Sequence, residues 1–280
     1  MLTWQIGEVK ITQIVELTTA SLGPYLLPQA DPKVLREVDW LRPFVDAEGR
    51  IILSVHALVV ESQGKRLIVD TCIGNDKQRS YPRWNRMQTD FLDKLAAAGY
   101  PRETIDTVIC THMHVDHVGW NTRLLDNRWQ PTFDNARYLF AEDEWAYWKA
   151  EPQEFGPVLE DSVQPIFDAG LADLVARTHK VTDEVWLTPT PGHTPGHVSV
   201  HIASAGEEAV ITGDMIHHPC QIAHPEWSSS VDWDPKTSAE TRDDFLARHA
   251  DRPVLIIGTH FTAPTAGHIV RDGKTFRLDY

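Results

Sequence analysis

Basic residues are scarce in this chain. Lys and Arg together number 26 against 40 Asp and Glu in 280 residues, a net charge of −14. So acidic a surface repels phosphate backbones, and no local run of Lys or Arg offsets it, which argues against a nucleic-acid partner. Cysteine is scarcer still. Cys72, Cys110 and Cys220 are an odd number without CxxC spacing; they argue against a disulfide framework and predict reduced thiols in a cytoplasmic protein. Long apolar runs are missing as well. The longest, such as Ala57-Leu58-Val59-Val60 and Val254-Leu255-Ile256-Ile257, stop at four residues, whereas a membrane-spanning helix needs about twenty. The first residues, Met1-Leu2-Thr3-Trp4-Gln5, hold no basic segment followed by an apolar one, so no secretory leader is expected.

What is present is an ordinary globular mixture, 42% apolar and 24% charged, long enough to bury a core without staples. No Ser/Gly linker divides it, and one domain over residues 1–280 is expected. Strands are predicted at Val9–Leu17, Ile51–Glu61, Arg66–Asp70, Ile105–Thr111, Val185–Thr188, His197–Ala203, Ala209–Thr212 and Pro253–Gly258, with a hairpin turn at Asp272-Gly273. Helices are predicted over Thr89–Ala98, Glu142–Ala150 and about Ser238–His249, the last after a turn at Asp234-Pro235. Residues 21–50 carry Pro24, Pro28, Pro32 and Pro43. They read as a long excursion with at most one short helix near Val34–Trp40. Strands fall in two clusters, each followed by helical segments, so the fold expected is α/β, two sheets covered by outer helices in an αββα four-layer sandwich.

The chemistry concentrates in Thr111-His112-Met113-His114-Val115-Asp116-His117, an HxHxDH pattern straight after a strand. In extended backbone, residues two apart face the same way, so His112 and His114 can grip one metal. Asp116 and His117 follow as the chain turns and can aim at a second position. Composition alone would place this pattern by chance roughly 0.003 times in such a chain. Three more segments share its grammar of strand, turn and ligand: Pro191-Gly192-His193-Thr194-Pro195-Gly196-His197, Thr212-Gly213-Asp214 and Gly258-Thr259-His260. Imidazole and carboxylate suit Zn and its first-row neighbours Mn, Fe and Co.

This set, in this order, resembles the metallo-β-lactamase-fold superfamily. The resemblance implies an αββα sandwich with two divalent metals, first of all Zn, at one sheet edge. It implies His112, His114 and His193 on one metal, Asp116, His117 and His260 on the other, and Asp214 bridging. Asp70 resembles the family's aspartate that steadies a ligating histidine, and His197 reads as a structural neighbour of His193. Within the family, the elements are most similar to the branch of lactonases, esterases and phosphotriesterases. Several homoserine lactonases carry Tyr three residues after the bridging Asp, where this chain has His217, followed by His218; that is more like the organophosphate-hydrolysing relatives.

The activity expected is a dinuclear metal-dependent hydrolase whose metal-bridging hydroxide opens a lactone or cleaves a carboxylic ester. Asp116 is the candidate proton acceptor and His217 the candidate donor to a substrate oxygen. A glyoxalase-II-like thioesterase, a phosphotriesterase and, from another class, a non-catalytic metal-binding scaffold are the alternatives. The expected partner is a small molecule of apolar character, with neither nucleic acid nor membrane; a homodimer is compatible with the sequence. Trp84, Trp120, Trp145, Trp148, Trp227 and the 21–50 excursion are candidates to cover the metals, with core packing the alternative for each Trp among the ten.

Overall fold

The computed structural model describes residues 1–151 and 155–280. Its first sheet runs through β1 (Thr3–Ile6), β2 (Val9–Thr19), β3 (Leu53–Ser62), β4 (Lys65–Val69) and β5 (Thr107–Ile109). After a separate hairpin of β6 (Thr122–Leu125) and β7 (Arg128–Pro131), the sheet is completed by β8 (Arg137–Ala141) and β9 (Ala172–Val175). The strands from β1 to β4 pair antiparallel; β4, β5, β8 and β9 run parallel. The second sheet takes β10 (Val185–Pro189), β11 (Val198–Ser204), β12 (Glu207–Ile211), β13 (Val254–Ile257), β14 (Ala266–Asp272) and β15 (Thr275–Asp279) in order. Its pairs are antiparallel apart from β12 and β13. The helices are α1 (Gly23–Leu26), α2 (Pro32–Leu35), α3 (Phe91–Ala97), α4 (Glu142–Ala150), α5 (Gln164–Asp168), α6 (Cys220–Ala223) and α7 (Pro235–His249).

Three apolar clusters separate four layers. Alternation along β3 sends Leu58 and Val60 between the sheets, against Leu187, Val200 and Ile211. It sends Val55, Ala57 and Val59 to the opposite face, where Phe91 and Leu95 of α3 and Ile166 of α5 cover them. The outer face of the second sheet, with Val210, Ile256 and Ile269, is covered by Phe245 and Leu246 of α7 and by Leu27, Leu35, Leu41 and Phe44. Each such side chain taken fully out of water contributes about 1.5–3 kcal/mol. The result is the αββα arrangement. Among the described residues no helix is long and apolar enough to cross a membrane, and all three cysteines are buried and free.

The excursion departs from its expected irregularity. It holds α1, α2 and a 3-10 turn over Asp39–Phe44 rather than one short helix. Pro24 and Pro32 sit in first helical turns, where a missing N–H costs nothing, and the Asp31 carboxylate accepts from Lys33 N–H at 2.8 Å to cap α2. The same device corrects the start of α7. Asp234-Pro235 is its cap and first residue rather than a separate turn, with Asp234 accepting from Lys236 and Thr237 N–H. The strands β1, β6, β7, β8 and β9 and helix α5 carry no clear sequence signal, being short and packed by neighbours rather than patterned.

Candidate metal centre

Four chain segments deliver the site to one edge of the sandwich. β5 ends at Ile109 and leads into Cys110–His117; the β10–β11 turn carries His193; a 3-10 turn after β12, Gly213–Met215, carries Asp214; and the end of β13 leads to His260. The donor atoms of His112, His114, His193 and Asp214 form one group and those of Asp116, His117 and His260 a second, each within 4.8 Å of one another. Asp214 touches both. Its Oδ2 lies 3.5 Å from His193 Nε2, 3.7 Å from His112 Nε2 and 3.2 Å from His117 Nε2, and its Oδ1 lies 3.2 Å from His260 Nε2. All seven residues singled out from the sequence are thus brought together.

Three of the rings are aimed by what stands behind them. His117 Nδ1 donates to Asp70 Oδ2 at 2.8 Å, and Asp70 also accepts Thr111 N–H and hydroxyl at 2.8 Å. His193 Nδ1 donates to Asp232 Oδ1 at 2.8 Å, and His260 Nδ1 donates to Ser54 O at 2.9 Å. These bonds fix the tautomer that leaves a lone pair facing inward. Glu144, buried at the start of α4, accepts Met113 N–H and Gly196 N–H, both at 3.0 Å, so one carboxylate ties the HxHxDH segment to the His193 turn. Neither Asp232 nor Glu144 was singled out from the sequence, where nothing marks an acid that pairs with a histidine 39 positions away.

His197 does stand beneath the site. Its Nε2 accepts Asp214 N–H at 2.9 Å while Nδ1 donates to Thr190 O at 3.0 Å. Gly213 makes that contact possible, having φ +58° and a position where a Cβ would lie 2.5 Å from His197 Nε2. Gly119, just past the motif, is tighter: a Cβ there would lie 1.8 Å from Ile73 O. Gly119→Ala is therefore expected to destabilise the fold by about 3 kcal/mol through forced backbone displacement. Thermal melting checks this; an unchanged Tm would mean that the backbone yields freely.

The electrostatics divide along the same line. Burial, reinforced by neighbouring imidazoles, pushes His112 and His114 well below the ordinary imidazole value, and burial takes His193 down to about 4. Burial works against charge on His117 too, but Asp214, Asp70 and Asp116 outweigh it and hold its pKa well above the usual value. Burial likewise opposes ionisation of Asp214, yet His117, His260 and His217 hold its carboxyl well below the usual range. One group offers neutral lone pairs; the other draws positive charge among its carboxylates. A divalent cation meets both demands, displacing protons from imidazole as it binds. Facing ring nitrogens at 2.8–3.2 Å, as in His193–His114 and His117–His260, approach the roughly 3.3 Å between ligands about 2.05 Å from a tetrahedral ion. The donor set fits metal.

A cavity of about 460 Å³ opens over this centre, floored by His114, Asp116, Asp214, His217 and His260. Its walls are apolar: Leu22, Tyr25 and Leu26 from the excursion, Leu53 and Val55 from β3, and Tyr81 and Trp84 opposite. Among the described lining residues none is Lys or Arg. His217 is 1% exposed, its Nε2 3.3 Å from Asp214 Oδ2, and neither ring nitrogen has a hydrogen-bond partner. His218 turns away, donating to Phe44 O at 2.8 Å, with its pKa taken down to about 4 by burial.

The tryptophans separate. Trp84 lines the cavity and Trp148 packs edge-on to His114 at 5.2 Å. Trp120 stacks on Phe91, Trp145 on Phe167 and Trp227 on His224, so these three serve packing instead of covering the metals. The excursion covers the cavity with its first residues only; Leu35, Leu41 and Phe44 are core of the second sheet's outer layer.

The model of the metallo-beta-lactamase superfamily matches residues 50–260. Among solved structures, the hydrolase AbOPH, described as in the beta lactamase superfamily, is 26% identical over 99% of this chain and 96% of its own, with a TM-score of 0.80. AidC, a dizinc quorum-quenching lactonase in complex with a product, is 21% identical over the same shares, 99% and 96%, with a TM-score of 0.78. A mutant of AiiA from B. thuringiensis with N-decanoyl-L-homoserine bound at its active site is 15% identical over 92% and 94%, with a TM-score of 0.60. No curated protein sequence matches this chain significantly.

Proposed function

Because the chain belongs to the metallo-beta-lactamase superfamily, we propose that it is a dinuclear metal-dependent hydrolase of neutral lactones or carboxylic esters with an apolar acyl group. One observation carries this reading above the rest: the Asp214 carboxylate reaches nitrogens of both ligand groups at the floor of an apolar cavity. His112, His114 and His193 would hold one ion, Asp116, His117 and His260 the other, with Asp214 shared and zinc the metal the donors suit best. When bound, such a pair acidifies water and polarises a carbonyl oxygen.

The rest falls to the chain's own residues. Leu22, Leu26, Leu53, Val55 and Trp84 bind the acyl group and exclude bulk water from it. The Asp116 carboxylate, 14% exposed at the cavity floor, is placed to accept the proton lost by the attacking water. His217, with both nitrogens free of hydrogen bonds, is placed to donate to the substrate oxygen or to the leaving alkoxide.

A cavity whose described lining residues include no Lys or Arg suits neutral substrates. It speaks against a glutathione thioester, whose carboxylates would enter unpaired. A phosphotriester is also neutral and apolar, and His217 three residues after Asp214 keeps that second reading open to test.

Purified metal-replete protein should turn over a γ-lactone, a long-chain acyl lactone or an aryl ester, with at least a hundredfold loss on chelation and recovery on adding zinc. Glutathione thioester should be the poorest of the panel. Preference for that thioester, or a phosphotriester turned over far faster than every carboxylic ester, would overturn the substrate assignment. Two bound metals with no turnover of any kind would favour a binding scaffold.

A further inference from the structure

The segment 229–234 holds His193 from several sides. Ser230 ties it to the excursion, its N–H donating to Leu26 O at 3.0 Å and its hydroxyl to Tyr25 O at 2.7 Å. Val231 lines the cavity. Asp232, its side chain fully buried, accepts His193 Nδ1 at 2.8 Å through Oδ1 and Ser229 N–H at 2.8 Å through Oδ2. Trp233 N–H donates to His193 O at 2.9 Å and Asp234 N–H to Gly192 O at 3.0 Å. Asp234 then caps α7, so this strap is anchored at both ends.

Set against the other rings, Asp232 has a distinct place. In the second group a carboxylate, Asp70, stands behind His117. In the first group, His112 has the Thr111 hydroxyl behind its Nδ1, at 3.0 Å, and that hydroxyl in turn donates to Asp70; the carboxylate bonded directly to a ring of this group from behind is Asp232. Each ligand group thus has one imidazole bonded at Nδ1 directly to a carboxylate behind it, and these two pairs share no atoms.

We infer that Asp232 is the positioning residue of the His112–His114–His193 group, so that metal affinity there depends on it independently of the group steadied by Asp70. The inference rests on the metal-centre reading. The physical reason is that an ionised partner at Nδ1 fixes the tautomer, locks the ring plane and raises the basicity of Nε2, while a neutral partner does these less well. The strap that walls the cavity is then also what holds a metal ligand in place.

Metal-free protein would be titrated with Zn²⁺ against a chromophoric chelator, and with Co²⁺ followed by its visible absorption. Wild type should take up two equivalents. Asp232→Asn should weaken one of them by about 10–100-fold and leave the other within about twofold, with an altered Co²⁺ spectrum. Asp232→Glu should recover part of the loss. Combined with Asp70→Asn, it should leave both equivalents weak. Circular dichroism and melting report whether each variant folds; Asp232→Ser is read in the same way should the Asn variant not fold.

Wild-type affinity for both equivalents in a folded Asp232 variant would overturn the inference alone. So would a double variant that keeps one equivalent tight, since the two carboxylates would then act on the same position. No metal bound by wild type would overturn the metal-centre reading itself, and the inference with it.

Discussion

Asp214→Ala is expected to release metal from both positions and to lower kcat/KM for the preferred ester or lactone by about 10³-fold or more, equivalent to about 4 kcal/mol of transition-state stabilisation. The expectation follows from position. Its two oxygens approach Nε2 of His193 and His112 on one side and of His117 and His260 on the other, all between 3.2 and 3.7 Å. No other carboxylate among the described residues reaches both groups. Loss of this side chain removes a donor from each position and the negative charge that would draw two cations together. Asp214→Asn separates the two effects, keeping the shape and removing the charge. Elemental analysis after desalting gives metal content and steady-state kinetics gives turnover. Two metals retained with normal turnover would exclude a shared role for Asp214.

For His217→Phe the expected result is different in kind. Metal content and melting temperature should stay near wild type, while kcat falls by about 10²-fold and KM changes little, the pattern left by a lost proton donor. The ring is buried at the cavity floor and its nitrogens make no hydrogen bond, so phenylalanine of similar shape keeps the packing and gives up only the 3.3 Å approach of Nε2 to Asp214 Oδ2, a carboxylate that four other imidazoles also face. A buried imidazole with neither nitrogen in a hydrogen bond is costly to keep for packing alone; transfer to a substrate oxygen is the use the cavity offers it. Full activity in this variant would remove His217 from the mechanism and leave the floor to Asp116 and the ligand groups. A loss confined to metal content would make His217 a further ligand.

The sequence by itself pointed to the convergence of His112, His114, Asp116, His117, His193, Asp214 and His260, because their segments share the order strand, turn, ligand and the ordered set resembles that of the metallo-β-lactamase fold. It determined the sandwich for a similar reason. Strands fall in two clusters, each followed by helical segments, and the apolar residues on both faces of β3 and along β13 demand cover on each side. These are short-range facts, carried by spacing of two and by residues adjacent to turns.

The tertiary structure alone decided the rest. Trp84 lines the cavity while Trp120 and Trp145 stack inside the fold, because a ring's fate depends on what packs opposite it and not on its own neighbours in sequence. Pro24 and Pro32 begin helices rather than prevent them, since the first helical turn needs no N–H and the covering layer needs apolar side chains held compactly. Asp232 and Glu144 are invisible in the sequence for the deepest reason. A carboxylate becomes a support only when the fold buries it against a particular N–H, and here those partners, His193 for Asp232 and Met113 and Gly196 for Glu144, lie 31 to 52 residues away along the chain.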